Sequence, residues 1–144
     1  MNYPNSDRPL PANVRLAIEF AGKTGLISKH LWQTRFNSGC NTWKIRQFSK
    51  LLKMDIFKPY VQIEKKQFYK LGTAGQALSR KLEIKPVCAP LNNQILHDEW
   101  IYETVLALSE AGYVYTWLSE AQLKTGGNFK DEHWLIGSKI PDAV

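Results

Sequence analysis

The chain has 144 residues, of which 44% are hydrophobic and 22% are charged, which is enough for one ordinary domain or two very small ones. No window approaches the roughly 20 uninterrupted apolar residues of a membrane-spanning helix, and the first residues lack the layout of a signal peptide. We therefore expect a cytoplasmic protein without membrane association. Cys40 and Cys88 stand at no metal-ligand spacing, and we expect both to be reduced and structural.

Charge is distributed unevenly along the chain. Residues 1–82 hold 15 Lys or Arg and 4 acids, a net charge of +11, whereas residues 83–144 hold 4 Lys and 9 acids, a net charge of −5. A basic block of this density is typical of a domain that binds a polyanion, because neutralising phosphates releases condensed counterions. Nucleic acid is the first candidate partner. An even scatter of Lys and Arg over all faces would instead indicate a solvated surface.

Two helices are predicted at the start of the basic half. Apolar residues recur at spacings of three and four over residues 12–22, which indicates an amphipathic helix that ends near Gly25. A second helix is predicted to begin near Ser28, a candidate N-cap residue, and to turn Leu31 and Trp32 inward.

A third helix is predicted after a turn at residues 37–40. It runs from about Thr42 to Met54 and carries an apolar stripe opposite a polar, basic stripe. Trp43, one turn into the helix, suits the core and the outer face equally well. The apolar stripe comprises Ile45, Phe48, Leu51 and Leu52, and the opposite stripe comprises Trp43, Arg46, Gln47, Lys50 and Lys53.

The period of the hydrophobic pattern changes from 3.6 to 2 over residues 56–71, which predicts a hairpin of two antiparallel strands. Glu64, Lys65 and Lys66 occupy its tip, so the hairpin presents two cations there. A fourth helix is predicted over residues 72–82. The order of these elements indicates a winged helix-turn-helix DNA-binding domain over residues 1–82.

The acidic half begins with a predicted linker over residues 83–93, where proline and asparagine coincide with the change in sign of the charge. A helix over residues 94–111 and a few short strands follow. Together they amount to a small, incomplete α/β segment over residues 94–144, and we expect the chain to be a fragment of a longer protein. The helix is predicted to present Ile95, Trp100, Ile101, Val105 and Leu108 on its apolar side, and the strands to occupy residues 113–118, 134–136 and 140–144.

The third helix and the hairpin are the candidate DNA-binding elements. A helix-turn-helix places its second helix in the major groove, where Arg46 would contact guanine and Gln47 adenine. The hairpin lysines would follow the backbone beside the adjacent minor groove. The alternatives are a solvated helix face and a charged tip that keeps a sheet edge soluble. The candidate DNA-binding residues are Ser38, Asn41, Thr42, Trp43, Arg46, Gln47, Lys50, Lys53, Lys65 and Lys66.

Enzymatic sites have little support in the sequence. The three His residues show no metal-ligand spacing, and no glycine-rich phosphate loop is present. We expect no complete metal site, no cofactor and no enzymatic activity. The carboxylates that would hold Mg²⁺ for phosphodiester hydrolysis are Glu99, Glu103, Glu120 and Asp142.

Three groups of residues carry a family resemblance. They are the helix from Arg46 to Met54, the hairpin exit from Phe68 to Gly75, and the pair of segments 117–120 and 140–143. In this order they resemble the replication-relaxation family and the MobC-type mobilisation accessory proteins of plasmids. The resemblance implies a winged helix-turn-helix followed by an α/β domain similar to the PD-(D/E)xK nuclease fold, usually without a complete active site.

The resemblance also implies a function at a plasmid origin, beside a relaxase or a replication initiator protein. We expect a relaxosome component that binds double-stranded DNA in conjugative mobilisation or replication and contacts its protein partner through the acidic half. A metal-dependent nuclease of the PD-(D/E)xK type and a plain winged-helix transcriptional regulator are the alternatives. A homodimer is compatible with the sequence.

Overall fold

The computed structural model describes residues 10–36, 39–113, 119 and 122. These residues form five helices and a three-stranded antiparallel sheet, so the predicted α+β class is confirmed. The chain divides into two compact units, Met1–Asn92 and Asn93–Val144. The helices are α1 (Ala12–Thr24), α2 (Lys29–Arg35), α3 (Asn41–Lys53), α4 (Thr73–Lys81) and α5 (Asn92–Glu110), and the strands are β1 (Ile27–Ser28), β2 (Phe57–Ile63) and β3 (Lys66–Leu71).

The first two predicted helices are confirmed, together with the end of the first and the start of the second. α1 ends at Gly25, whose φ of 92° lies in the left-handed region and whose backbone N–H donates to the carbonyl of Ala21 at 2.9 Å. α2 begins after Ser28, whose Oγ accepts a hydrogen bond from the backbone N–H of Leu31 at 3.0 Å. Leu31 and Trp32 are both buried, as predicted.

The sheet contains the predicted hairpin and one strand that the sequence analysis missed. Strand order is β1-β3-β2, and β1 pairs with β3 so that Ser28 lies opposite Phe68. Because β1 has only two residues, no alternation of polarity reveals it in the sequence. The turn of the hairpin consists of Glu64 and Lys65, which both have positive φ, and Lys66 is the first residue of β3.

The core of the first unit is aromatic. Phe48 of α3 packs against Trp32 with ring centroids 5.4 Å apart and against Phe57 with centroids 5.6 Å apart. Trp32, Phe57 and Phe68 are almost fully buried. Burying one such side chain contributes about 1.5 to 3 kcal/mol, so these rings fix α2 and α3 against the sheet.

α4 is attached to the turn that follows α3. Asp55 has a φ of 56°, and its carboxylate accepts a hydrogen bond from the backbone N–H of Thr73 at 3.0 Å. The carbonyl of Asp55 accepts a second one from Ala74 at 3.1 Å. Gly75 lies so close to the carbonyl of Ile56 that a Cβ atom would collide with it. The start of α4 therefore requires glycine at this position, because any side chain would displace the backbone of Ile56.

The segment predicted as a linker lies against the first unit. Residues 83–91 contain no helix or strand, but the backbone N–H of Val87 donates to the carbonyl of Gly22 at 3.0 Å. The hydroxyl of Tyr60 donates to the carbonyl of Pro90 at 3.1 Å. Cys40 and Cys88 are unpaired, as predicted, and both are exposed, so neither fills the core.

The predicted apolar side of the fifth helix is wrong in part. Ile95 is fully buried, but Trp100 is 70% exposed and Leu108 is 41% exposed, whereas Glu99 and Tyr102 are buried. Apolar residues occur on all sides of α5, so their spacing in the sequence does not determine which side is buried. Of the strands expected beyond this helix, residues 114–118, 134–136 and 140–144 lie outside the described residues. Within the described part of the chain, no helix is long and apolar enough to cross a membrane.

Candidate nucleic-acid interface

Two hydrogen bonds fix α3 relative to α2. The indole Nε1 of Trp32 donates to the carbonyl of Lys44 at 3.1 Å, and the Nζ of Lys44 donates to the carbonyl of Gln33 at 2.7 Å. Each helix thus donates one hydrogen bond to the other. Because Lys44 is used in this connection, its charge neutralises the carbonyl end of α2 and does not belong to the outer face of α3.

The outer face of α3 brings together most of the predicted site residues. At 3.6 residues per turn, they fall within an arc of roughly 100° around the helix. Trp43, which suited either environment, is 46% exposed and belongs to this face. No hydrogen bond or ion pair within the described residues involves the side chains of Arg46, Lys50 or Lys53, so they are available to a ligand. The exposed residues of the arc are Thr42, Trp43, Arg46, Lys50 and Lys53, with Asn41 exposed at the first position of the helix.

Gln47 and Ile45 differ from the sequence-based expectation. The Gln47 side chain is buried at 7% exposure, and its Oε1 accepts a hydrogen bond from Nδ2 of Asn13 in α1 at 2.9 Å. Ile45, predicted in the core, is 51% exposed, because it lies about 120° around the helix from the buried Leu51. Gln47 therefore connects α3 to α1, and we remove it from the candidate interface.

The hairpin tip exposes both predicted lysines, Lys65 and Lys66. Lys70 lies further along β3, opposite Lys58, and its Nζ is 5.2 Å from the centroid of the Tyr60 ring. This distance is within the range of a cation–π interaction. Of the predicted site residues, Ser38 alone lies outside the described residues.

A cleft of about 470 Å³ lies between α2 and the hairpin, and no pattern in the sequence predicts it. The α2–hairpin cleft, as we name it, has no Asp or Glu in its lining. A smaller cleft of about 90 Å³, the α2–α3 cleft, shares Lys29 and Gln33 with it and reaches Ile45 and Ser49 of α3. The α2–hairpin cleft is lined by Lys29, His30, Gln33, Gln62, Lys65, Lys66 and Gln67.

Tyr69 is part of the wall of the α2–α3 cleft. Its ring meets that of Phe48 edge to face, with centroids 4.7 Å apart. Burial raises the pKa of the Tyr69 hydroxyl above its usual value of 10.0, so this group is neutral at physiological pH. It offers a hydrogen bond without adding a negative charge beside Lys29.

The carboxylates considered for metal binding do not form a cluster in the described part of the chain. Glu99 is buried, Glu103 lies one turn further along α5, and Glu120 and Asp142 lie outside the described residues. Among residues 10–36, 39–113, 119 and 122, no three His, Cys, Asp or Glu side chains come close enough to hold a metal ion.

Comparisons of the chain with protein-family models, with curated proteins and with solved structures find no match.

Proposed function

We propose that this protein binds duplex DNA through a winged helix-turn-helix, with α3 as the recognition helix and the β2–β3 hairpin as the wing. The order α1, β1, α2, α3, β2, β3, α4 supports the proposal, since it contains two adjacent helices followed by a hairpin. The observation that carries it is the outer face of α3, where Arg46, Lys50 and Lys53 are exposed and no acid is present.

The roles of these residues follow from their positions on the helix. Arg46, in the second turn of α3, has the guanidinium geometry that contacts guanine in a bidentate manner. Lys50 and Lys53, nearer the end of the helix, suit phosphates, as does Asn41 at its start. Lys65 and Lys66 contact the backbone at the neighbouring minor groove. Base preference therefore depends on α3, and the hairpin supplies affinity for all sequences.

The biological setting we propose is a plasmid origin, where the protein assists a relaxase or a replication initiator. The three groups of residues that resemble the mobilisation accessory proteins support this assignment. The acidic α5, with four acids and no Lys or Arg, is the proposed contact for a basic protein partner. Binding as a homodimer would place two recognition helices on a symmetric site.

Salt dependence is the direct test of DNA binding. Fluorescence anisotropy with a labelled duplex and the full chain should give log K against log salt with a slope near −5, which corresponds to about six phosphate contacts. A flat response would overturn the proposal. Footprinting on the parent replicon then tests the setting: protection at the transfer or replication origin supports an accessory protein, whereas protection confined to a promoter identifies a transcriptional regulator.

A further inference from the structure

The pairing of β1 with β3 places the start of α2 beside the hairpin. Ser28 lies opposite Phe68, and Lys29 follows it directly as the first residue of α2. Lys29 and Gln67, the two residues adjacent to this pair in sequence, line the same cleft as the tip lysines. A lysine far from the hairpin in sequence thus joins its positive charges.

The α2–hairpin cleft has the composition of an anion-binding site. Three lysines and a histidine line it together with three glutamines, and the lining contains no Asp or Glu. Like charges that share a concave surface attract counter-ions strongly. The side chains of Lys29 and Lys65 take part in no hydrogen bond or ion pair within the described residues. The amide groups of Gln33 and Gln62 add neutral donors to the same surface.

The two clefts are neighbours, because Lys29 and Gln33 line both of them. Taken together, their linings extend from Ile45 and Ser49 on α3, past α2, to the hairpin tip. In a duplex, the major and the adjacent minor groove are separated by one sugar-phosphate strand. If α3 occupies the first groove and the hairpin tip reaches the second, that strand must pass between them.

We propose that one phosphodiester strand of the duplex lies in the α2–hairpin cleft and that Lys29 binds a phosphate there, across from Lys65 and Lys66. This site rests on the proposed DNA binding and adds α2 to the contact surface. Lys29 makes no contact with base edges in this arrangement, so it contributes affinity without sequence preference.

The first test compares Lys29→Ala with Lys81→Ala in the full chain. Lys81 is an exposed lysine in the last turn of α4 and lines neither cleft, so it controls for the loss of one positive charge. Lys29→Ala should weaken binding to every duplex by about three- to tenfold and make the salt slope shallower by about one. Lys81→Ala should leave both quantities unchanged, and Lys29→Arg should restore the slope. Circular dichroism melts establish that all variants are folded.

The second test removes the charge of single phosphates with methylphosphonate linkages. One linkage should weaken the wild-type protein and have no effect on Lys29→Ala, which identifies the phosphate that Lys29 contacts. Equal binding and slope for wild type, Lys29→Ala and Lys81→Ala would overturn this site and leave recognition by α3 intact. Absence of any salt-dependent duplex binding by the wild type would overturn the proposed function itself. Displacement of the duplex by low millimolar inorganic phosphate at constant ionic strength would assign the cleft to a small anion.

Discussion

α3 and α5 each expose a tryptophan, but their charges are opposite. α3 has four Lys or Arg and no acid in 13 residues, whereas α5 has four acids and no Lys or Arg in 19 residues. Trp43 on α3 is 46% exposed, and Trp100 on α5 is 70% exposed. An exposed aromatic ring suits many partners, so the surrounding charges determine which of them is accepted. Cations favour a phosphate backbone, and acids repel it.

The largest effect is expected from reversing the charge of α3. Arg46→Glu with Lys50→Glu removes two of the proposed DNA contacts and adds repulsion, so affinity should fall by about 100-fold or more. The reversal of two charges in α5, Glu103→Lys with Glu110→Lys, is equal in size and should alter affinity by less than about threefold. Both pairs are measured by anisotropy at one salt concentration. Equal losses of affinity in the two double variants would show that the opposite charges of α3 and α5 have no bearing on DNA binding.

Arg46→Ala tests base recognition within α3. The substitution should cost about 1 to 3 kcal/mol of binding free energy and relax the preference at a single base pair, because one bidentate contact is lost. Selection of bound sequences from a randomised duplex pool measures this preference. An unchanged preference at every position would refute the role of Arg46.

Gln47→Ala, at the next position, should lower the stability of the protein and leave its base preference unchanged. It removes the acceptor for Asn13, so the free energy of unfolding should fall by about 1 to 3 kcal/mol while base preference stays unchanged. Urea denaturation measures the first quantity and sequence selection the second. A changed preference with wild-type stability would mean that Gln47 faces DNA and that α3 is rotated relative to the structure.

Lys65→Ala with Lys66→Ala tests the hairpin. Two exposed cations are lost without any base contact, so binding to all sequences should weaken alike by about tenfold, equivalent to about 1.4 kcal/mol. Related and unrelated duplexes, compared at the same salt concentration, separate affinity from preference. A loss confined to one sequence would assign base recognition to the hairpin.

The smallest effect is expected from the tryptophans. Trp43→Ala should weaken DNA binding by about threefold to fivefold, since an aromatic contact contributes on the order of 1 kcal/mol. Trp100→Ala should leave DNA binding unchanged, and its effect should be confined to a protein partner. The two variants remove the same group from helices of opposite charge. Weaker DNA binding by Trp100→Ala would extend the DNA contact surface to α5.

The helices of the first unit were predictable because local signals mark them. Gly25 ends α1 and Ser28 caps α2, and both signals act within one turn of the chain. Which side of α3 faces the core was less predictable. The polar Gln47 is buried, whereas the apolar Ile45 is exposed. The hydrogen bond from Asn13, 34 residues away, accounts for the burial of Gln47. Periodicity in one helix contains no information about such a contact.

The candidate site was predicted where it depends on α3 and the hairpin and missed where it depends on β1. A two-residue strand is too short for a periodic signal, and its pairing with β3 is a long-range contact. Without that pairing, nothing in the sequence brings Lys29 close to Lys65. The basic composition of the first half indicated a polyanion, but the two neighbouring clefts beside α2 could be found only in the fold.

Ser28 belongs to two elements at once. Its position in β1 is paired with Phe68, and its hydroxyl accepts the N–H of Leu31 at the start of α2. Separating the hairpin from β1 would therefore also expose the first turn of α2 to unwinding. The hairpin and the first turn of α2 are thus joined through one residue, so a force applied to the hairpin would reach α2 without an intervening flexible joint.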